Sequence, residues 1–267
     1  MNSNLANAPR IDEAAGTVTY EQPLAERMRT FLRLEFLAQQ ANHHSLQAST
    51  WSSRAAVGSL LEILTILGRG DVRSDVLKEL ERQMSLLAPF RARPGVDKAR
   101  LDALLDRVTR LRGSLSSAGA QYMQDLKESE FLSAIKHRSA IPGGTCEFDL
   151  PDFKHWLSLP YEQRVKDFQS WFSGIKPLCD AVAQVLWLTR EGATGQPQVA
   201  RNGLFQHSPE RGSAAQLLRV SMTIPCNVYP EISGSQHRFS IRFLHWGGIG
   251  SRPAQTTEDI NFVLSCG

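Results

Sequence analysis

The sequence predicts an α+β protein, a mostly α-helical body followed by a small antiparallel β-sheet domain. Two observations carry that expectation. Between Tyr20 and Glu191 apolar residues recur at steps of three and four, the spacing that lines one stripe of a helix. After Gly192 lysine disappears, Gly, Pro and Ser rise, and short alternating runs replace the stripes. The boundaries expected from this shift are a flexible leader over 1–19, a helical domain over 20–192 and a β-domain over 193–267.

Residues 1–19 are rich in Asn, Ala and Thr and lack apolar periodicity, which suggests a mobile leader. From Tyr20 the positions Leu24, Met28, Phe31, Leu34, Leu37 and Ala41 fall on one stripe of a long helix. A second stripe, Val57, Leu60, Leu64 and Leu67, is stopped by Gly68-Arg69-Gly70. A third runs from Val72 through Val76, Leu80 and Met84 to Leu87, before Pro89. Asp97 is placed as the N-cap of a fourth helix carrying Leu101, Leu104, Val108, Leu111 and Leu115. Further helices are expected over about 120–138, 152–172 and 176–191. Candidate strands are Val199–Gln206, Leu217–Ile224, His237–His245 and Asp259–Cys266, whose short links favour antiparallel pairing.

Strand alternation sorts the charges. In the run His237–Phe243 it sends Phe239, Ile241 and Phe243 to one face and Arg238, Ser240 and Arg242 to the other. The run Leu217–Ile224 splits likewise, with Leu218, Val220, Met222 and Ile224 inward and Arg219, Ser221 and Thr223 outward. If the two strands lie close, Arg219, Arg238 and Arg242 share one solvated surface. A guanidinium holds a carboxylate through two hydrogen bonds and is less strongly hydrated than an ammonium, so such a face suits an acidic peptide. The plainer alternative is three solubilising charges, paired with Asp259 or unpaired, contributing about 0–1 kcal/mol each.

Bulk composition narrows the function classes. The 267 residues are 42% hydrophobic and 21% charged, with 30 basic and 27 acidic side chains for a formal charge of +3, so the chain is expected to fold without a pronounced pull toward polyanions. No run approaches a membrane span and no secretory signal opens the sequence, which makes the cytoplasm the expected compartment. Cys146, Cys179, Cys226 and Cys266 are too scattered for a metal clip and read as reduced thiols.

No set of residues reads as an active site. Ile141–Cys146 pairs two glycines with a thiol but lacks the lysine of a phosphate loop, and Cys146 reads as structural. Glu147, Asp149 and Asp152 precede or open a helix at Pro151, where acids complement the dipole. His43 and His44 are adjacent and point about 100° apart, so they do not chelate one metal. His237 and His245 alternate with Phe239 and are expected to pack inward. Gly247-Gly248-Ile249-Gly250 reads as a hairpin loop rather than a dinucleotide site. The five tryptophans Trp51, Trp156, Trp171, Trp187 and Trp246 read as core or interface anchors. No metal, cofactor or catalytic residue is expected.

Four segments together resemble the ZapD family of Z-ring-associated division proteins: Tyr20–Phe36 (YEQPLAERMRTFLRLEF), Ile141–Pro151 (IPGGTCEFDLP), Tyr229–Gly234 (YPEISG) and His237–Phe243 (HRFSIRF). The resemblance covers about Tyr20 to Cys266. It implies a helical body with a β-domain, a homodimer, and binding of the C-terminal tail of FtsZ with bundling of its filaments at midcell. Arg238 is the first candidate for holding that tail, with Arg219 and Arg242 beside it, while Glu258 and Asp259 weigh against extending the surface onto the last strand. The rival is a nucleic-acid-binding module that sets the arginine face against phosphate, which predicts steep salt dependence. A third reading, a hydrolase built on Cys146, predicts loss of activity in Cys146→Ala.

Overall fold

The structure, a computed structural model, describes residues 16–117, 123–209, 215–224 and 227–267. Its contacts define two units: one holds the described residues up to Leu32 together with Leu186–Gly267, the other Arg33–Val185. The architecture is α+β, with a run of helices followed by antiparallel strands.

The helices are α1 (Glu26–Ser45), α2 (Thr50–Leu67), α3 (Val72–Leu87), α4 (Lys98–Ser117), α5 (Gln124–Glu128), α6 (Glu130–Ser139), α7 (Pro151–Ser158), α8 (Tyr161–Ser173) and α9 (Lys176–Glu191). The stripe expected along α1 is buried, from Leu24 and Met28 through Phe31, Leu34 and Leu37 to Ala41. Polar residues set the helix starts. Asp71 Oδ1 accepts the Ser74 N–H at 3.1 Å, and Asp97 Oδ1 accepts the Arg100 N–H at 3.0 Å. Asp97→Ala is therefore expected to cost about 1 kcal/mol, read as a lowered urea midpoint.

Two helices expected as single runs are each divided. The span 152–172 breaks into α7 and α8 at Leu159, whose extended ψ of 157° is what a residue before proline adopts. The span 120–138 breaks into α5 and α6 at Ser129, whose hydroxyl accepts the Leu132 N–H; residues 118–122 lie outside the described residues. Within the helical unit Phe131, Phe153, Trp156 and Trp171 form an aromatic cluster, with ring centroids 5.5 to 6.1 Å apart. The Trp156 indole N–H donates to Asp167 at 3.0 Å, satisfying its one polar atom. Buried Arg164 donates to Ser53 Oγ at 2.6 Å and to the Ala48 carbonyl at 3.0 Å, tying α8 to the start of α2.

The strands are β1 (Thr17–Pro23), β2 (Gln196–Ala200), β3 (Leu204–His207), β4 (Leu217–Thr223), β5 (Val228–Ser235), β6 (Arg238–His245), β7 (Ala254–Gln255) and β8 (Ile260–Cys266). They form two antiparallel sheets, ordered β1-β4-β8-β2 and β3-β6-β5, with β7 also pairing β6. Inward residues of both sheets, among them Leu218, Val220, Phe239, Ile241, Phe243, Phe262 and Leu264, make one apolar core. Phe243 and Phe262, from different sheets, sit 5.2 Å apart. The unit is thus a small β-sandwich.

Three expectations about elements change here. Tyr20–Pro23 extend a strand rather than begin the long helix, because Thr17-Val18-Thr19-Tyr20 are β-favouring residues that pair with β4 from Thr17↔Thr223 to Pro23↔Leu217. Residues 17–19 of the expected leader therefore lie in the first sheet, while residues 1–15 fall outside the described residues. The run Val199–Gln206 is two strands, divided at Asn202 and Gly203, whose φ values of 49° and 69° form the turn that carries the chain from one sheet to the other. Gly203 is required there twice over, since a Cβ would meet the Thr256 carbonyl oxygen at 2.5 Å. β5, absent from the expected strands, pairs along the whole of β6.

Candidate peptide-binding face

The alternation read from sequence holds in both arginine-bearing strands. In β6, Phe239, Ile241 and Phe243 are buried and Arg238 and Arg242 exposed; in β4, Leu218, Val220 and Met222 are buried and Arg219 and Ser221 half-buried. The structure nevertheless brings together only two of the three candidate arginines. Arg238 and Arg242 share the outer face of the sheet β3-β6-β5, whereas Arg219 lies on the outer face of the other sheet. Because the two sheets meet through their inner faces, their outer faces point away from one another.

Arg219 has a structural partner. It stands directly opposite Glu21 across the β1–β4 ladder, with its Nε 3.1 Å from Glu21 Oε1. Glu21 also receives a two-pronged hydrogen bond from Arg190, in the last turn of α9, at 2.9 Å through Nε and 2.8 Å through Nη2. The Arg190 and Glu21 side chains are only 9% and 15% exposed, so the three charges form a largely dry cluster.

The outer face of β3-β6-β5 is open and polar. The pairing register sets Glu231 opposite Arg242, Ser233 opposite Ser240 and Ser235 opposite Arg238. Glu231 and Arg242 form an ion pair, and the Ser233 and Ser240 hydroxyls lie 3.0 Å apart. On the other side of β6, Leu204 faces Arg242 and Gln206 faces Ser240. Arg238 is exposed and makes no ion pair or side-chain hydrogen bond among the described residues. Among the described residues of these three strands it is the cation that remains available to an incoming carboxylate.

The last strand does not extend the basic surface. Asp259 accepts the Asn202 N–H at 3.0 Å and pairs with Arg201. The Asn202 N–H, then the Arg201 guanidinium, hold its carboxyl below the ordinary carboxylate range. Arg201 is thereby engaged at the corner between β2 and β3. His237 and His245 are exposed, contrary to the inward packing expected of them, because each lies at an end of β6 where alternation no longer dictates burial.

The other constellations resolve into structure. The Cys146 thiol donates to Asp149 Oδ2 at 3.4 Å, and no histidine hydrogen-bonds it among the described residues. Asp149 also lies 3.4 Å from Arg138, and Glu147 pairs with Lys154. Cys179 is buried, and that burial pushes its thiol up to about 12. Cys146, Cys179 and Cys266 are free thiols, while Cys226 lies outside the described residues. Among the described residues no group of three or more His, Cys, Asp and Glu side chains is placed to hold a metal ion, and no helix is long and apolar enough to cross a membrane. Of the tryptophans, Trp156 is buried, Trp171 and Trp187 are partly buried, and Trp51 and Trp246 are exposed.

A run of helices and a β-sandwich, one of whose outer faces carries an exposed arginine among polar neighbours, define an α+β protein. The chain belongs to the ZapD family of cell division proteins. The family model, described as a cell division protein, matches residues 32–242. The chain is 39% identical over 252 residues to the cell division protein ZapD of Methylococcus capsulatus, covering 93% of this chain and 97% of that one. It is 36% identical over 249 residues to the proteins of the same name from Escherichia coli O17:K52:H18 and Shigella boydii serotype 4, covering 93% of this chain and 98% of each.

Proposed function

We propose that the protein is a non-catalytic cytoplasmic division factor that binds the C-terminal tail of FtsZ on the outer face of β3-β6-β5. Acting as a homodimer, it crosslinks FtsZ filaments into bundles that promote Z-ring assembly at midcell. The observation that carries this reading is Arg238, exposed and available on a sheet face with hydroxyl and amide neighbours. An acidic tail laid across that face gains a charge-assisted hydrogen bond without displacing an existing partner. Arg242 contributes by exchanging or sharing Glu231. Two such faces on one dimer convert modest single-site affinity into crosslinking through effective concentration.

Arg219 is not part of this surface and is assigned to stability. A nucleic-acid reading of the same face predicts binding to any duplex or single strand, with steep salt dependence and no requirement for FtsZ. Co-sedimentation with polymerised FtsZ tests the proposal: wild-type protein is expected to pellet and bundle full-length polymer and to stay in solution with polymer lacking its C-terminal tail. Equal pelleting with both polymers would overturn the tail-binding reading, and sedimentation as a monomer at micromolar concentration would overturn the crosslinking mechanism.

A further inference from the structure

The outer face that carries Arg238 and Arg242 continues past the end of β6. Positions 238, 240, 242 and 244 share that side, and the ladder with β5 extends one step further, since the Trp246 N–H donates to the Asn227 carbonyl at 2.8 Å. Trp246 therefore continues the same alternation, and its side chain is 62% exposed. Tyr229 occupies the matching outward position on β5 and meets Trp246 edge to face, with ring centroids 6.4 Å apart. Beyond Trp246 the Gly247–Gly250 loop leaves Ile249 fully in solvent. The polar face thus ends in a pair of aromatic rings.

Exposed tryptophan is costly to leave wet, and an indole held by a neighbouring ring offers a rigid apolar platform at little entropic cost. At about 3.3 Å per residue, Trp246 stands roughly 13 Å along the strand from Arg242 and roughly 26 Å from Arg238. Both distances are within reach of one extended peptide.

We infer that Tyr229 and Trp246 form an aromatic platform that takes an apolar side chain of the peptide whose acidic residue is held by Arg238, so that the face recognises an extended segment carrying an acid and a hydrophobe about eight residues apart. This rests on the tail-binding reading proposed above and specifies what the site recognises. Across the ladder Tyr229 stands opposite Leu244, which is buried. The edge-to-face contact already joins the two rings in the free protein, which limits the ordering cost of capturing the peptide.

The experiment measures binding of a fluorescent FtsZ C-terminal tail peptide to the full chain by anisotropy, with a peptide series in which each apolar residue is replaced in turn by serine. Trp246→Ala is expected to weaken the parent peptide about fivefold or more, and Trp246→Phe to retain most of the affinity. One serine peptide should bind the wild type correspondingly more weakly, and its loss should vanish in the Trp246→Ala background, the non-additivity of two groups in contact. Circular dichroism checks that the variants stay folded. If Trp246→Ala binds as the wild type does while Arg238→Glu does not, the aromatic platform is overturned and tail binding stands. If the wild type fails to bind the parent peptide, the tail-binding reading is overturned and the platform with it.

Discussion

Glu21→Ala is expected to destabilise the β-sandwich by about 3–5 kcal/mol, the loss typical when one partner of a buried ion pair is removed. The reason lies in the order of charges. Arg190, Glu21 and Arg219 place one carboxylate between two guanidiniums, and the carboxylate is the member both cations share. Without it, Arg190, whose side chain is 9% exposed, loses a two-pronged carboxylate partner, and a second cation lies nearby. Removing Arg219 has a different consequence. Its side chain is 28% exposed, and the Arg190–Glu21 pair survives its loss with both prongs intact. Arg219→Ala should therefore cost far less than Glu21→Ala, about 1 kcal/mol or below, as for a partly exposed pair. Urea unfolding followed by tryptophan fluorescence separates the two variants, and equal losses would contradict the central role of Glu21. The same pair of variants separates stability from binding, because Arg219→Ala should leave FtsZ-tail affinity unchanged.

The second large effect is on binding. Arg238→Glu is expected to lower affinity for the FtsZ tail about tenfold or more, equivalent to about 1.4 kcal/mol or above, while leaving stability near that of the wild type. Stability is spared because Arg238 makes no ion pair among the described residues and its exposed neighbours are serines. Binding suffers twice, through loss of the available cation and through a new like charge facing an acidic segment. Arg242→Glu is expected to have a mixed outcome, since it also sets a second carboxylate opposite Glu231 and so strains the sheet. Raised ionic strength should weaken the wild type and narrow its gap to Arg238→Glu, because salt screens both the attraction to Arg238 and the repulsion from the introduced glutamate. An Arg238→Glu protein that binds as tightly as the wild type would remove Arg238 from the site.

Local rules made much of this legible from the chain. Alternation in Arg238–Phe243 and in Leu218–Thr223 assigns the inward and outward residues correctly, because the direction of a side chain in a strand depends on its neighbours in sequence, whereas His237 at the strand end departs from it. Which strands pair is a non-local matter, and there the expectation that Arg219 would join Arg238 and Arg242 failed. β4 finds β1 and β8, whereas β6 finds β3, β5 and β7. β1 is masked in the sequence because Tyr20–Pro23 run directly into the helical stripe that begins at Leu24. β5 was hidden by Pro230 and Gly234, residues that weaken a central strand but are tolerated at the edge position it occupies. The Asn202-Gly203 pair was a turn signal standing in plain sequence, and it marks the change of sheets. Trp246 shares the parity of Arg238, yet its place on the face follows only from the backbone bond that carries the ladder past His245.

The most direct test of the account is photocrosslinking from one outer face against the other. Benzoylphenylalanine placed at Ser233, exposed on β5, is compared with the same group at Val263, exposed on the outer face of the β1-β4-β8-β2 sheet. With full-length FtsZ polymer, the account predicts adducts to the C-terminal tail from position 233 and none above background from position 263. Adducts from position 263 alone, or in equal yield from both, would contradict it.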